Sequence, residues 1–247
     1  MAPRPLVLVP PSLTMAKGGR SPRRDGVFDS ALNEHRQAVT RALGEVISRA
    51  TTRDLERVFN ARGAVLQRAV ESAHEIVHGV APVVPAWRRY QGVVWTYLDP
   101  RSLPISARRH LLIPSGLYGV VSGEDPVAEC RLGMNVRLGE LASLSQFWQR
   151  PVTSALRAAS LRATIVNLLP REHAASIHWS QLEQGRRVVH VEFLQSGSTR
   201  AVGHDAKAVK GVLARHLLTQ GLESLEAMEW RGWRVRRDDH SFVVTAP

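Results

Sequence analysis

The sharpest catalytic motif in the sequence is H-E-I-V-H at residues 74–78. On a helix, His74 and His78 would lie on one face and could share a zinc or iron ion, with Glu75 between them as general base. An apolar stripe runs along the same helix, so both histidines can equally flank it in solvent. The motif therefore predicts either a metal site or an ordinary helix surface. A third ligand would have to arrive through the fold, from His110, His173 or His178.

A basic helical segment over residues 204–216 is the second candidate. It contains Lys207 and Lys210, two of only three lysines in a chain with 30 arginines. A lysine ammonium shifts its pKa readily and meets a phosphate as a point charge, unlike guanidinium. His204 lies one turn before Lys207, and Gly211 would allow a close backbone approach. The segment predicts a phosphate or nucleic-acid contact, and the alternative is a plain basic helix face.

The only cysteine, Cys130, stands next to Arg131. A neighbouring cation favours the thiolate, which would make Cys130 a candidate nucleophile. The alternative is a buried, inert thiol. Because one cysteine excludes an internal disulfide, we expect a reducing, cytoplasmic environment.

The formal charge of +11 and the pI of about 11.1 favour DNA or another polyanion as partner. Part of this charge can reflect a compositional bias rather than a binding site, since nearly all of the basic residues are arginines rather than lysines. No apolar run approaches the roughly 20 residues that span a bilayer, so we expect neither an export signal nor a membrane partner.

Strands and helices mix along the whole chain, which predicts one α/β domain over 1–247 with a mixed sheet flanked by helices. Strands are expected at 6–9, 92–95, 111–115 and 163–169, and hairpins at 187–202 and 233–244. Residues 12–27 resemble a mobile basic loop. Within 51–80, Thr51 is the expected N-cap of a helix that breaks at residues 60–63 before another begins. This pair is either a helix-hairpin-helix-like element that contacts DNA phosphates or a plain helical hairpin.

Taken in order, several segments resemble the YaaA family of peroxide stress proteins. The opening strand and Pro-Pro-Ser turn run from Leu6 to Ser12, with Lys17 at the place of a lysine that often follows. The turn S-G-L-Y-G appears unchanged at residues 115–119. Further matches are Pro85-Ala86, Arg89-Tyr90-Gln91-Gly92, Asp125, Arg131-Leu132 with Met134, Phe147-Trp148, Val166-Asn167-Leu168, Ala206-Lys207, Lys210-Gly211 and Arg215.

The resemblance implies an α/β fold with a helix-hairpin-helix element around Thr51 to Val70. It also implies DNA binding and a role in limiting iron-driven damage during peroxide stress. A shared cationic cleft would be lined by Ser12, Arg89, Ser115, Arg131, Lys207, Lys210 and Arg215. The full set of candidate anion-binding residues adds Lys17, Arg62 and His204.

Five residues depart from the family pattern: Leu13, Ser122, Gly123, Cys130 and Asn135. They leave open a diverged enzyme that acts on a small nucleobase, nucleotide or other anionic substrate. Lys207 or Cys130 would then be the nucleophile or acid–base group. The leading hypothesis is a cytoplasmic, DNA-binding protein of the peroxide response.

Overall fold

Eight strands of one mixed sheet organise the computed structural model, which describes residues 4–20, 26–194, 202–238 and 241–247, without the side chains of 202–204. The strands of this sheet and of a separate two-stranded pair are, in chain order, β1 (Leu6–Leu8), β2 (Val83–Pro85), β3 (Leu111–Ser115), β4 (Gly119–Ser122), β5 (Pro126–Ala128), β6 (Ile165–Asn167), β7 (Val188–Leu194), β8 (Glu229–Trp230), β9 (Trp233–Asp238) and β10 (Ser241–Thr245). The helices are α1 (Asp29–Arg49), α2 (Thr52–Phe59), α3 (Gly63–Val77), α4 (Ala86–Arg89), α5 (Val93–Leu98), α6 (Ile105–Arg108), α7 (Leu144–Ala159), α8 (Arg171–Ala174), α9 (Trp179–Glu183) and α10 (Val202–Gln220).

The central strand β1 pairs in parallel with β3 on one side and β6 on the other. The full order is β4-β3-β1-β6-β7-β10-β9-β8, with β2 and β5 in a separate antiparallel pair. Strands β7 and β10 continue the parallel set, whereas β4, β9 and β8 pair in antiparallel fashion. The predicted mixed α/β class is therefore confirmed.

Both faces of the sheet are buried, which explains why β1 is a continuous apolar run. Leu6 and Leu8 enter one core, which is packed by α1, α3 and α7. Val7 enters the other core, which is packed by α5 and α10. Because side chains alternate along a strand, a chain with helices on both sides of the sheet must be apolar at every position of β1.

The N-cap predicted for α2 is confirmed. The side chain of Thr51 accepts a hydrogen bond from the backbone N–H of Asp54 at 3.3 Å. The helix ends at Asn60, which adopts the left-handed conformation (φ 44°), and α3 begins at Gly63. The pair of helices broken at 60–62 is thus present, and the hairpin's DNA-binding character stays a prediction.

One sequence-based strand prediction is wrong. Residues 93–95 begin the helix α5, because Val94, Trp95 and Leu98 share a helical face that packs in the core with α10. The first strand of the hairpin predicted at 187–202 is present as β7, which pairs in parallel with β6 and β10. Residue 202 begins α10, and residues 195–201 lie outside the described residues. The C-terminal hairpin is confirmed as β9 and β10.

The segment after β1, predicted as a mobile loop over 12–27, is held by backbone hydrogen bonds where the structure describes it. The Arg20 N–H donates to the Val83 carbonyl at 3.0 Å, and the Ala16 N–H donates to the Arg89 carbonyl at 2.8 Å. Residues 21–25 lie outside the described residues. Among the described helices, none combines the length and apolar character needed to cross a bilayer.

Candidate functional site

A cavity of about 660 Å³ opens at the carboxyl ends of β1, β3 and β6. Ser12 follows β1, Ser115 ends β3, and His173 follows β6 by six residues. Ligands of open α/β sheets bind in the crevice outside these strand ends, where connections leave a strand in opposite directions. In this sheet β1 lies between β3 and β6, so the cavity at the carboxyl ends of these strands occupies that crevice.

Two serines line the cavity floor near a buried tyrosine. Ser12 accepts a hydrogen bond from the Thr14 N–H at 3.1 Å, and Ser115 accepts one from the Tyr118 N–H at 3.2 Å. Burial raises the pKa of Tyr90 well above its ordinary value, so its phenol is protonated at any physiological pH. These hydroxyls can donate hydrogen bonds to a bound ligand.

Arg131 also lines the cavity, and its guanidinium joins two distant segments. Its Nε donates to the Phe59 carbonyl at 2.8 Å, and its Nη2 donates to the Asn60 carbonyl at 3.0 Å. Its Nη1 donates to the Leu13 carbonyl at 3.0 Å. Arg131 therefore fixes the end of α2 against the loop after β1, and it brings a positive charge to the cavity wall.

His173 also lines the cavity, and its Nδ1 is buried without a hydrogen-bond partner among the described residues. Burial lowers the pKa of His173, the carboxylate of Glu172 raises it, and the ammonium of Lys210 lowers it further. Burial also lowers the pKa of Lys210 to about 8. Lys210 is not among the residues that line the cavity, and its Nζ lies 4.8 Å from the centroid of the Phe193 ring.

Cys130 lines the cavity as a protonated thiol. Burial raises the pKa of this thiol to about 12, and a backbone hydrogen bond from Leu132 opposes the effect only in part. The neighbouring Arg131 directs its guanidinium to carbonyl groups instead. Of the two alternatives from the sequence, the geometry favours the inert thiol.

Arg89 does not line the cavity, although the sequence placed it in the shared cleft. It is fully buried, and its guanidinium donates to the carbonyls of Ala16, Gly18, Pro82 and Val127. It holds together the segment that carries Lys17, whose own side chain is exposed and outside the cavity lining.

The remaining cations of the predicted cleft lie elsewhere on α10. Arg215 donates to the carbonyls of Leu98 and Asp99 at 3.1 Å each and to Ser102 Oγ at 2.8 Å, so it caps the end of α5. Lys207 is exposed and is not among the residues that line the cavity. The side chain of His204 lies outside the described part. Of the cleft expected from the sequence, only Ser12, Ser115 and Arg131 line the cavity, and Lys210 is not among its lining residues.

His74 and His78 are exposed at the end of α3. Their rings lie 6.3 Å apart between centroids, and His78 Nδ1 is 2.8 Å from the carbonyl oxygen of His74. In the described ranges of the chain, no three histidine, cysteine, aspartate or glutamate residues are placed to hold a metal ion. The zinc or iron site predicted at His74, Glu75 and His78 is therefore not assembled by the described part of the chain.

Arg62 stands at the start of α3, next to the cavity. Its side chain is 87% exposed and lies 3.6 Å from Glu56. A second, shallower hollow surrounds it, lined by Arg53, Arg57 and Asn60 among others. Arg57 and Asn60 line the main cavity as well, so the two hollows adjoin along the end of α2.

Sequence reasoning missed the contributions of Tyr90, Asn60 and Arg137 to the cavity, and it named His173 only as a metal ligand. One signal could have found His173. It follows the buried strand β6, and residues after the carboxyl ends of parallel strands meet at one edge of the sheet. Tyr90 gives no such signal, because it comes from the connection between α4 and α5.

Comparison with known proteins gives a consistent result. A family model described as "Peroxide stress protein YaaA" matches residues 6–239. A UPF0246 protein of Streptomyces coelicolor is 31% identical over 246 residues, covering 94% of this chain and 92% of the relative. A UPF0246 protein of Corynebacterium glutamicum is 27% identical over 229 residues, covering 90% and 88%. One of Caulobacter vibrioides is 28% identical over 200 residues, covering 76% and 77%.

Proposed function

Because this chain belongs to the peroxide stress protein YaaA family, we propose that it acts in the response to peroxide stress by binding DNA. The family description supports the stress role. The formal charge of +11 supports a polyanion as partner, since such a field attracts the phosphate backbone. The local geometry at the α2–α3 connection supports that part of the molecule as the contact.

The observation that carries the proposal is the uncapped N-terminus of α3. No side chain caps this end of the helix by a hydrogen bond, and the first turn contains no acidic residue. Within the described residues, the exposed N–H groups of Gly63, Ala64 and Val65 have no hydrogen-bond partner. Free N–H groups and the positive end of the helix dipole are suited to a DNA phosphate.

Three arginines surround this helix end. Arg57 pairs with Asp54 at 2.9 Å, and Arg62 lies 3.6 Å from Glu56. Arg53 is exposed, and no ion pair is formed by it within the described ranges. The surface ion pairs are weak and open easily, so all three guanidinium groups are available to phosphates.

Duplex DNA of about 20 base pairs tests the proposal by fluorescence anisotropy over a range of salt from about 50 to 200 mM. We expect binding that weakens steeply with salt. Arg62→Gln is expected to weaken it further and to lower the salt slope by about 1. The matched control is Arg234→Gln, because Arg234 in β9 is also exposed and lies 3.8 Å from a glutamate, Glu229 in β8.

Absence of binding at low salt, or a salt response close to zero, would overturn DNA binding. Equal losses in Arg62→Gln and Arg234→Gln would overturn the assignment to the α2–α3 connection. The stress role is tested separately. A strain that lacks this protein should lose viability in hydrogen peroxide, and the wild-type protein should restore it better than Arg62→Gln does.

A further inference from the structure

The cavity at the carboxyl ends of β1, β3 and β6 adjoins the proposed DNA contact. Arg57 and Asn60 line both this cavity and the shallower hollow around Arg62. Asn60 precedes Gly63, the first residue of α3, by three positions, so their Cα atoms are at most about 11 Å apart. A DNA phosphate at the start of α3 therefore places the base attached to it within reach of the cavity.

The polar side chains of the cavity suit the edge of a nucleobase better than a plain anion. Asn60 and Asn135 both line it, and neither amide makes a hydrogen bond within the described residues. Each amide offers a donor and an acceptor, as the edge of a base does. The carboxylate of Glu172 lines the cavity too, and it would repel an anion but can accept a hydrogen bond from the amino group of a base.

Two ring side chains add flat surfaces and a further polar group. Tyr90 and His173 line the cavity, and bases stack on such rings with little dependence on sequence. His173 Nδ1 is buried without a partner, whereas its Nε2 also makes no hydrogen bond in the described ranges but is not buried. Nε2 is therefore the ring nitrogen that is left to meet a ligand.

Leu13 stands at the rim of the cavity with 47% of its surface exposed. Its carbonyl accepts a hydrogen bond from Arg131 Nη1 at 3.0 Å, and the same guanidinium donates to the carbonyls of Phe59 and Asn60. The leucine is thus fixed to the end of α2, beside the proposed phosphate contacts. Proteins insert apolar side chains of this kind between base steps.

We propose that the cavity receives one nucleotide of the bound DNA, turned out of its stack, and that Leu13 fills the space that the base leaves. The inference rests on the proposed DNA binding at the α2–α3 connection. The phosphate stays outside, at the start of α3, and the base enters the cavity. Small-molecule sites typically measure about 300–1,000 Å³, and this one, at about 660 Å³, has the size for a single nucleotide and not for a duplex.

The cavity walls are in place without DNA. A Cβ atom on Gly116 would lie 2.5 Å from the carbonyl oxygen of Leu132, so the turn after β3 packs directly against the opposite wall. Trp148 Nε1 fixes the same turn by donating to the Gly116 carbonyl at 2.8 Å. The cost of turning out a nucleotide therefore falls on the DNA, and it is smallest where the base is already mismatched.

Two duplexes of about 20 base pairs test the inference, one fully paired and one with a single central mismatch. In fluorescence anisotropy at one salt concentration, the wild type is expected to bind the mismatched duplex about tenfold or more tightly, because less pairing is lost. A 2-aminopurine placed at the mismatch should gain fluorescence on binding, since it leaves the stack.

Two variants and two matched controls assign this preference to the cavity. Asn135→Ala and Leu13→Ala should lose most of the preference and keep their affinity for the paired duplex, which is held by its phosphates. The controls are Asn33→Ala, exposed on α1, and Leu161→Ala, 70% exposed after α7. Both control residues lie outside the cavity lining, so these variants should keep the full preference.

The outcomes separate this inference from the proposed function. Equal affinity of the wild type for the two duplexes, or unchanged 2-aminopurine fluorescence at saturation, would overturn the inference and leave the DNA binding intact. A preference that survives in both Asn135→Ala and Leu13→Ala would overturn the assignment to this cavity. Arg62→Gln should weaken both duplexes alike. If the wild type binds neither duplex at low salt, the proposed DNA binding fails, and this inference fails with it.

Discussion

Gly211 in α10 lies against the carbonyl oxygen of Val94 in α5, so closely that a Cβ atom on Gly211 would be 2.3 Å from that oxygen. The same atom would be 2.9 Å from Tyr97 Cβ. Neither contact can be relieved by rotating a flexible side chain. The close approach of these two helices therefore requires glycine, although glycine is a poor helix former.

Gly211→Ala is expected to destabilise the protein by about 1–3 kcal/mol, because overpacking outweighs the gain in helix propensity. Urea unfolding followed by circular dichroism measures the effect. Gly44→Ala in α1 is the control, since its Cβ would meet the side chain of Val77, with Cγ1 at 3.2 Å and Cγ2 at 3.6 Å. If both variants gain stability, the helices are not in the contact described.

Arg89→Leu should cost about 3–5 kcal/mol, because four carbonyl groups from separate segments lose their donor in a buried site. Burial lowers the pKa of Arg89, yet the guanidinium stays protonated at neutral pH. Arg89→Lys keeps the charge but not the planar fork, so it should recover little. Denaturant unfolding gives the loss, and faster proteolysis within residues 16–20 locates it. Full rescue by lysine would contradict this account.

The sequence predicted the central strands of the mixed sheet because burial on both faces leaves a plain signal. Strand β1 is a continuous apolar run, β6 is apolar at Ile165 and Val166, and the N-cap Thr51 is local to its helix. The helix at 93–98 could not be predicted in this way. Its valines and tryptophan favour a strand, and only the distant Gly211 makes room for a helix there.

The site was predictable only in part, for a related reason. The sequence identified Ser12, Ser115 and Arg131 as a group, and all three line one cavity. It could not reveal that Arg89 and Arg215 are occupied by carbonyl oxygens, because those partners are 7 to 117 residues away in the chain. Charge alone does not distinguish a ligand-binding arginine from one that completes the backbone's hydrogen bonds.

Cys130 is expected to react slowly with iodoacetamide in the folded protein. Because burial raises the pKa of its thiol to about 12, the thiolate is scarce at pH 8, and alkylation should be at least about tenfold slower than for free cysteine. The rate should keep rising above pH 9, where a free cysteine levels off. The urea-unfolded chain is an internal control, since Cys130 is its only cysteine. Rapid alkylation at pH 7 would contradict the buried thiol.

Lys210 should make the stability of the unliganded protein depend on pH. Its pKa is about 8 in the folded state and 10.5 in the reference state, so the unfolded chain binds the proton more tightly. The cost of burying the ammonium is complete below about pH 8 and is relieved as the pH rises towards 10.5. His173, whose pKa the ammonium of Lys210 helps to lower, is neutral throughout this range because burial also lowers its pKa.

The free energy of unfolding should therefore be higher for Lys210→Met than for the wild type at pH 7, by on the order of 1–3 kcal/mol. This difference should shrink between pH 8 and pH 10, and subtracting the two profiles removes the titration of all other groups. Denaturant unfolding at several pH values measures it. A difference that is constant with pH would mean that the ammonium is as well solvated in the folded protein as in the unfolded chain.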